Sequence, residues 1–319
     1  MFIISHRQLT MRGLSKFQIL NYRNRFVSTT LAYESIGNEK SERVALFLHG
    51  LMGTKRNWRT PMREFLKRHP EFRCLALDLR GHGDSASLSS NMPLESHSIQ
   101  TTAEDVSAFL SDKGIQPTIV FAHSFGGKVA IRFVDTHLKK AFPIPAHTWI
   151  LDSIPGRYSD KGHNSPNTVS NIIDSIREMP KQFPSREKMI KDIQNKGISI
   201  NIATWLGTNM VPLKDGTFSW CFDIVVIKRL FDEYCESDLW EAVDEFPGPS
   251  SPQNIGKLHF IRAGRNKAWR QEHLEHFQKL ETNPNIQLVT MPHVGHWLHS
   301  EDLQGVLDIV DNNSARAFW

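Results

Sequence analysis

Cysteine is scarce in this chain, and the three that occur, Cys74, Cys221 and Cys235, stand far apart in 319 residues. Thiols so spaced build no disulfide framework, and none lies in a Cys-x-x-Cys pair of the kind that holds zinc or cycles redox equivalents. Buried thiols in a reducing compartment are the expectation. Long apolar runs are missing too: no stretch reaches the roughly 18 apolar residues that a bilayer-crossing helix requires, so no transmembrane segment is expected. A full Gly-x-Gly-x-x-Gly fingerprint is also lacking. Gly81-His82-Gly83 is too short to cradle a dinucleotide, which argues against a nicotinamide cofactor. No internal repeat or long low-complexity segment is present.

Acidic side chains are absent from residues 1–33, which carry Arg7, Arg12, Lys16, Arg23 and Arg25 before Glu34 supplies the first carboxylate. That segment accounts for the formal charge of +4, because the other basic residues nearly balance the 34 acidic ones. No basic stripe remains for a phosphate backbone, and nucleic acid is not an expected partner. An acid-free, arginine-bearing leader containing Ser and Thr has the composition of an organellar import signal. Residues 1–30 are therefore expected to be a targeting leader. The mitochondrion is the first choice of destination, with the plastid and the cytosol as alternatives, and Arg25-Phe26-Val27-Ser28 loosely marks its end. A secretory signal fits less well, since Phe2-Ile3-Ile4 is interrupted at once by Ser5, His6 and Arg7.

What is present from Leu31 onward is an alternation of short apolar runs with amphipathic stretches, the pattern of a mostly parallel sheet flanked by helices. Strands are expected near 43–49, 72–78, 117–122, 147–152, 257–263 and 286–291. Several are near-continuous apolar runs, as in strands covered on both faces. Helices are expected near 58–68, 99–113, 126–139, 270–280 and 301–310. The strand rhythm stops over about 156–250, where helical periodicity at 167–179, 185–195, 199–206, 224–236 and 238–243 predicts a helical cap. Because strands resume at Lys257, the cap reads as an insertion within one domain, 31–319, with the turn-rich segment from Pro247 to Pro252 as the returning hinge.

The chemistry gathers at strand ends. Ala122-His123-Ser124-Phe125-Gly126-Gly127 follows the third of these strands and opens a helix, matching a nucleophile elbow except that Ala122 replaces the first glycine. A serine hydroxyl needs an exposed perch and a nearby base to attack at neutral pH, and the sharp turn supplies the perch. Phe47-Leu48-His49-Gly50-Leu51-Met52-Gly53 ends the first strand in a His-Gly turn. The Leu51 N–H, or less favourably that of Met52, can join the Phe125 N–H in an oxyanion hole. The Phe125 amide also begins a helix, where the dipole favours negative charge. His49 itself is expected only to shape the turn.

Met291-Pro292-His293-Val294-Gly295-His296-Trp297-Leu298-His299 follows the last strand, on the edge where the elbow lies. His296 is placed there as the base that takes the Ser124 proton and returns it to the leaving group. His293, His296 and His299 imitate a metal series, but no zincin-type carboxylate motif accompanies them, and no metal is expected. An imidazole base needs a carboxylate to fix its tautomer, and two residues compete. Asp152 ends the strand after the elbow helix and keeps the chain order Ser124, Asp152, His296. Glu272 is the alternative, the only acid near the loop Gly264 to Trp269, and is expected to fall on a helix. Asp78, Arg80 and Asp84 around Gly81-His82-Gly83 are expected to hold a turn together.

Together these motifs resemble the abhydrolase-domain esterases, a broad group with bacterial acyl-thioester esterases and mitochondrial relatives, over about Leu31 to Val310. Within the cap, 203–210 and 218–223 resemble segments of that group, as does 260–264 on returning to the core. The resemblance implies an α/β-hydrolase fold and hydrolysis of small-molecule or acyl-chain esters or thioesters without a cofactor. It also supports Asp152, since members with the acid in that position occur in the group. Some fungal mitochondrial relatives transfer acetyl groups to alcohols, so acyl transfer is the second implied activity. Ala122 and Lys267 depart from the pattern, Lys267 standing where many hydrolases carry the acid. A catalytically silent binding protein on the same fold is the rival of a different class. The full set Ser124, Asp152 and His296 argues against it. Trp205, Leu206, Phe218, Trp220 and Phe222 are candidates for an acyl pocket, with simple cap packing preferred. Nothing in the sequence sets an oligomeric state or an acyl chain length.

Overall fold

The computed structural model describes residues 31–89, 92–160, 165–248 and 256–314. The leader expected over 1–30 lies outside the described residues, as does most of the expected hinge.

The central sheet has seven strands: β1 (Tyr33–Gly37), β2 (Val44–Leu48), β3 (Arg73–Leu77), β4 (Ile119–His123), β5 (His147–Leu151), β9 (Lys257–Ala263) and β10 (Ile286–Met291). Across the sheet they lie in the order β1-β3-β2-β4-β5-β9-β10. Only β1 runs antiparallel, with Tyr33 opposite Leu77; the other pairings are parallel. Every residue of β2, β4 and β5 is buried. The cause is visible in the alternation along β2. Leu46 and Leu48 join a core with the helices Ile99–Lys113, Phe125–Lys139 and Gln271–Leu280, whereas Ala45 and Phe47 join a second core with Arg59–Arg68 and Leu303–Ser314. Successive side chains of a strand point to opposite faces, so helices cover both. β1 has no counterpart among the strands expected from the sequence.

The cap lies between β5 and β9. Its helices are Val169–Arg177, Arg186–Asn195, Ile200–Thr208, Ile224–Glu236 and Trp240–Asp244. Three of them start on side-chain caps: Thr168 accepts from Asn171 N, Ser185 from Lys188 N, and Asp223 from Val225 N and Val226 N. Their apolar faces meet in a third core that includes Ile173, Met189, Ile193, Leu206 and Ile227. Beside the helices expected there, β6 (Gln182–Phe183), β7 (Met210–Pro212) and β8 (Phe218–Trp220) form a small antiparallel sheet that the sequence pattern does not predict. Strands this short leave no period of two to read. The cap touches the core sheet's loops through a bridge between Phe222 and His82. No helix among the described residues is long and apolar enough to cross a membrane.

Candidate active site

β4 ends at His123, the helix starts at Phe125, and Ser124 alone makes the turn, with φ 52° and ψ −116°. A non-glycine residue holds such angles only where the surroundings over-determine them, at a cost of roughly 1–3 kcal/mol. One constraint is the bond from Ser124 N to Leu151 O, 2.9 Å. Another is close packing under the helix: a Cβ on Gly126 would sit 2.7 Å from both the Leu48 and His49 carbonyl oxygens. Ala122 is fully buried, paired with Leu48 on one side and Ile150 on the other, and its methyl belongs to the main core.

Asp152 leaves β5 at φ 49°, and its N–H donates to Ile261 O at 2.8 Å. Its carboxylate is buried and receives donors on both oxygens. His296 Nδ1 at 2.7 Å and Asn266 Nδ2 at 2.6 Å approach Oδ2, while Ala263 N at 2.9 Å and Trp269 Nε1 at 2.7 Å approach Oδ1. With Nδ1 donating to Asp152, His296 Nε2 keeps its lone pair, 3.1 Å from Ser124 Oγ. Ser124, His296 and Asp152 thus form one hydrogen-bonded chain drawn from three separate strand ends. Glu272 stands apart, on the helix Gln271–Leu280 and 3.5 Å from Arg270. The loop after β9 contributes donors to Asp152, from Asn266 and Trp269, and no acid. The sequence pattern gives no hint of His123, whose Nε2 donates to the His296 carbonyl at 2.8 Å and holds that loop in place.

The two amides proposed to receive an oxyanion differ in what surrounds them. Met52 N–H is taken by His82 Nε2 at 3.0 Å, whereas Leu51 N–H has no partner among the described residues. Phe125 N–H opens its helix and has no carbonyl within it to meet. His82 Nδ1 donates to Arg80 O at 2.8 Å, and His49 Nδ1 to Gly50 O at 2.8 Å while its Nε2 accepts from Leu79 N at 3.0 Å. Burial pushes His82 down to about 3 and His49 to about 4, so both are neutral hydrogen-bonding struts. Asp78 holds the Gly81-His82-Gly83 turn from within, while the Arg80 and Asp84 side chains, expected to bond inside it, reach outward to Asp105 and Lys55. Asp78 accepts from Lys55 N at 2.7 Å and Asp84 N at 2.9 Å, and Arg80 grips Asp105 at 2.6 and 2.8 Å.

Ser124, His296, Leu51 and Phe125 line a cavity of about 550 Å³ between sheet and cap. Ile172, Ile202, Trp205, Phe231, Tyr234 and Trp297 give much of its apolar wall. Of the five cap residues considered for an acyl pocket, Trp205 reaches the cavity; Leu206 is buried in the cap core and Trp220 stacks on Phe222 at 5.4 Å. The histidine series occupies three environments: His293 is exposed, His296 faces Ser124, and His299 is buried and stacked on Trp58 at 4.7 Å. Among the described residues no group of three or more His, Cys, Asp or Glu side chains could hold a metal ion.

A parallel sheet in this order, with a strand-to-helix elbow and loops from later strands converging on it, defines an α/β hydrolase. The chain belongs to the alpha/beta hydrolase family, whose model matches residues 45–309. It is 25% identical over 285 residues to the sn-1-specific diacylglycerol lipase ABHD11 of Mus musculus, spanning 88% of this chain and 83% of that protein. The Xenopus laevis protein of the same name is 22% identical over 279 residues, 84% of this chain and 78% of its own length. A solved marine microorganism esterase superposes with a TM-score of 0.70 at 21% identity, covering 88% of this chain and 97% of that one, a likeness of fold.

Proposed function

We propose that this protein is a carboxylic ester hydrolase that cleaves esters or acyl thioesters through an acyl-enzyme on Ser124. The observation that carries the reading is the chain from Ser124 Oγ through His296, at 3.1 Å, to Asp152, at 2.7 Å. In this scheme His296 Nε2 takes the hydroxyl proton as Oγ attacks the acyl carbon. The Leu51 and Phe125 amides receive the carbonyl oxygen as it becomes negative, each worth roughly 3 kcal/mol of barrier. His296 then protonates the departing alcohol or thiol, and a water activated by the same imidazole releases the acid. Asp152 keeps the Nδ1–H tautomer and stabilises the imidazolium. No step requires a cofactor. The activities named for the relatives, a diacylglycerol lipase and an esterase, point to the same bond type. The apolar cavity wall suits an acyl chain. The composition of residues 1–33 supports delivery to mitochondria, which imaging of the tagged full chain would test.

The experiment is turnover of p-nitrophenyl esters and acyl thioesters from acetyl to palmitoyl, with fluorophosphonate labelling in parallel. Turnover and labelling that both vanish in Ser124→Ala are expected. An unlabelled, inert native protein would move the chain to the silent binding class.

A further inference from the structure

One turn beyond Ser124 on the elbow helix, Lys128 is completely buried. An ammonium out of water costs several kcal/mol unless every proton finds an acceptor. Here all three do: Nζ donates to Gly156 O, Tyr234 O and Ser237 O, each at 2.7 Å, and stands 4.5 Å from the Tyr234 ring centroid. Burial nevertheless draws its pKa down to about 7, against the pull of Cys235 and Asp238.

The acceptors are the informative part. Gly156 lies on the leg by which the chain leaves β5 for the cap. Tyr234 and Ser237 lie at the C-terminal end of Ile224–Glu236, where helix carbonyls lack internal partners and the dipole attracts a cation. The same two legs are tied to each other by Tyr158 N to Cys235 O and Leu239 N to Pro155 O, both 3.0 Å. Ile154, Tyr158, Phe231 and Tyr234 from these legs line the cavity over Ser124.

We infer that Lys128 is a positioning residue that latches both legs of the cap to the nucleophile helix and thereby sets the wall against which the acyl chain lies. The inference rests on the hydrolase reading for its kinetic test and on geometry for its structural one. It assigns Lys128 no contact with the reacting atoms. A chain too short to reach the leg wall is indifferent to the latch, and a long one is not.

The test is Lys128→Met, which keeps length and removes the charge. With it goes Gly156→Ala, whose methyl would stand 2.5 Å from Trp240 Nε1 and shift the first leg, with its Lys128 acceptor, while leaving the Lys128 side chain itself unaltered. Both are assayed on acetyl to palmitoyl esters. Hydrogen exchange is followed at 156–158 and 234–239. Expected is faster exchange in those segments, with KM for long-chain esters raised about tenfold and acetyl-ester kcat within about twofold of native, a change in substrate binding alone. A uniform loss across chain lengths, or native exchange and kinetics in a folded Lys128→Met, would overturn the inference. If the native protein turns over no ester, the hydrolase reading fails, while hydrogen exchange still decides whether Lys128 holds the two legs.

Discussion

His82 Nε2 accepts the Met52 N–H at 3.0 Å, and this one bond separates the two amides proposed as alternatives for an oxyanion hole. With Met52 committed, the turn presents Leu51. His82→Leu releases the Met52 amide and frees the turn to rearrange. It is expected to lower kcat by roughly tenfold to a hundredfold with KM nearly unchanged, because oxyanion donors act on the transition state more than on bound substrate. Steady-state kinetics on a short ester checks this. Raised KM at constant kcat would place His82 in substrate binding.

Asp152→Asn is expected to reduce kcat by about three to four powers of ten, as an amide cannot fix the productive imidazole tautomer. The new amide nitrogen would also face Asn266 Nδ2 or Trp269 Nε1, two donors now without a charged acceptor. Glu272→Gln should leave turnover within about twofold, since that side chain is exposed on a helix flank. Equal losses in both variants would remove Asp152 from the proposed role.

Much of this was readable because the relevant signals are local. β2, β4 and β5 are buried on both faces, so their apolar runs stand out from the sequence, and the elbow follows from five consecutive residues after Ala122. β1 escaped because Tyr-Glu-Ser-Ile-Gly mixes polar and apolar residues on an edge strand, and β6, β7 and β8 are too short to show alternation. The surroundings of Asp152 were illegible for a different reason. Asn266 and Trp269 are ordinary loop residues until a fold carries them across more than a hundred positions of sequence to one carboxylate. Lys128 is similar: a lysine inside an amphipathic helix reads as solvated, and only the returning cap legs reveal its three acceptors.

Stability should fall on acidification below about pH 6.5. Burial lowers His49, His137 and His147 to about 4 and His82, His259 and His299 to about 3. Above pH 6.5 these side chains are neutral both folded and unfolded, so their contribution is fully present. As pH drops from 6.5 towards 3, the unfolded chain binds protons that the folded one refuses, and stability is lost at about 1.4 kcal/mol per pH unit for each group fully in that window. Urea unfolding at pH 7.5 and 5.0 should show the lower midpoint at pH 5.0. An equal or higher midpoint there would mean that the buried imidazoles are protonated within the fold.

The turn at Ser124 sets chemistry and durability against each other. Its φ of 52° and ψ of −116° suit glycine better than any residue with a Cβ. Ser124→Gly should accordingly melt higher than the native protein, by a margin worth about 1 kcal/mol, while losing all turnover. Selection for robustness alone would have put glycine at the sharpest point of the molecule, and on the proposed mechanism the serine held there marks a backbone kept under tension for the sake of its hydroxyl.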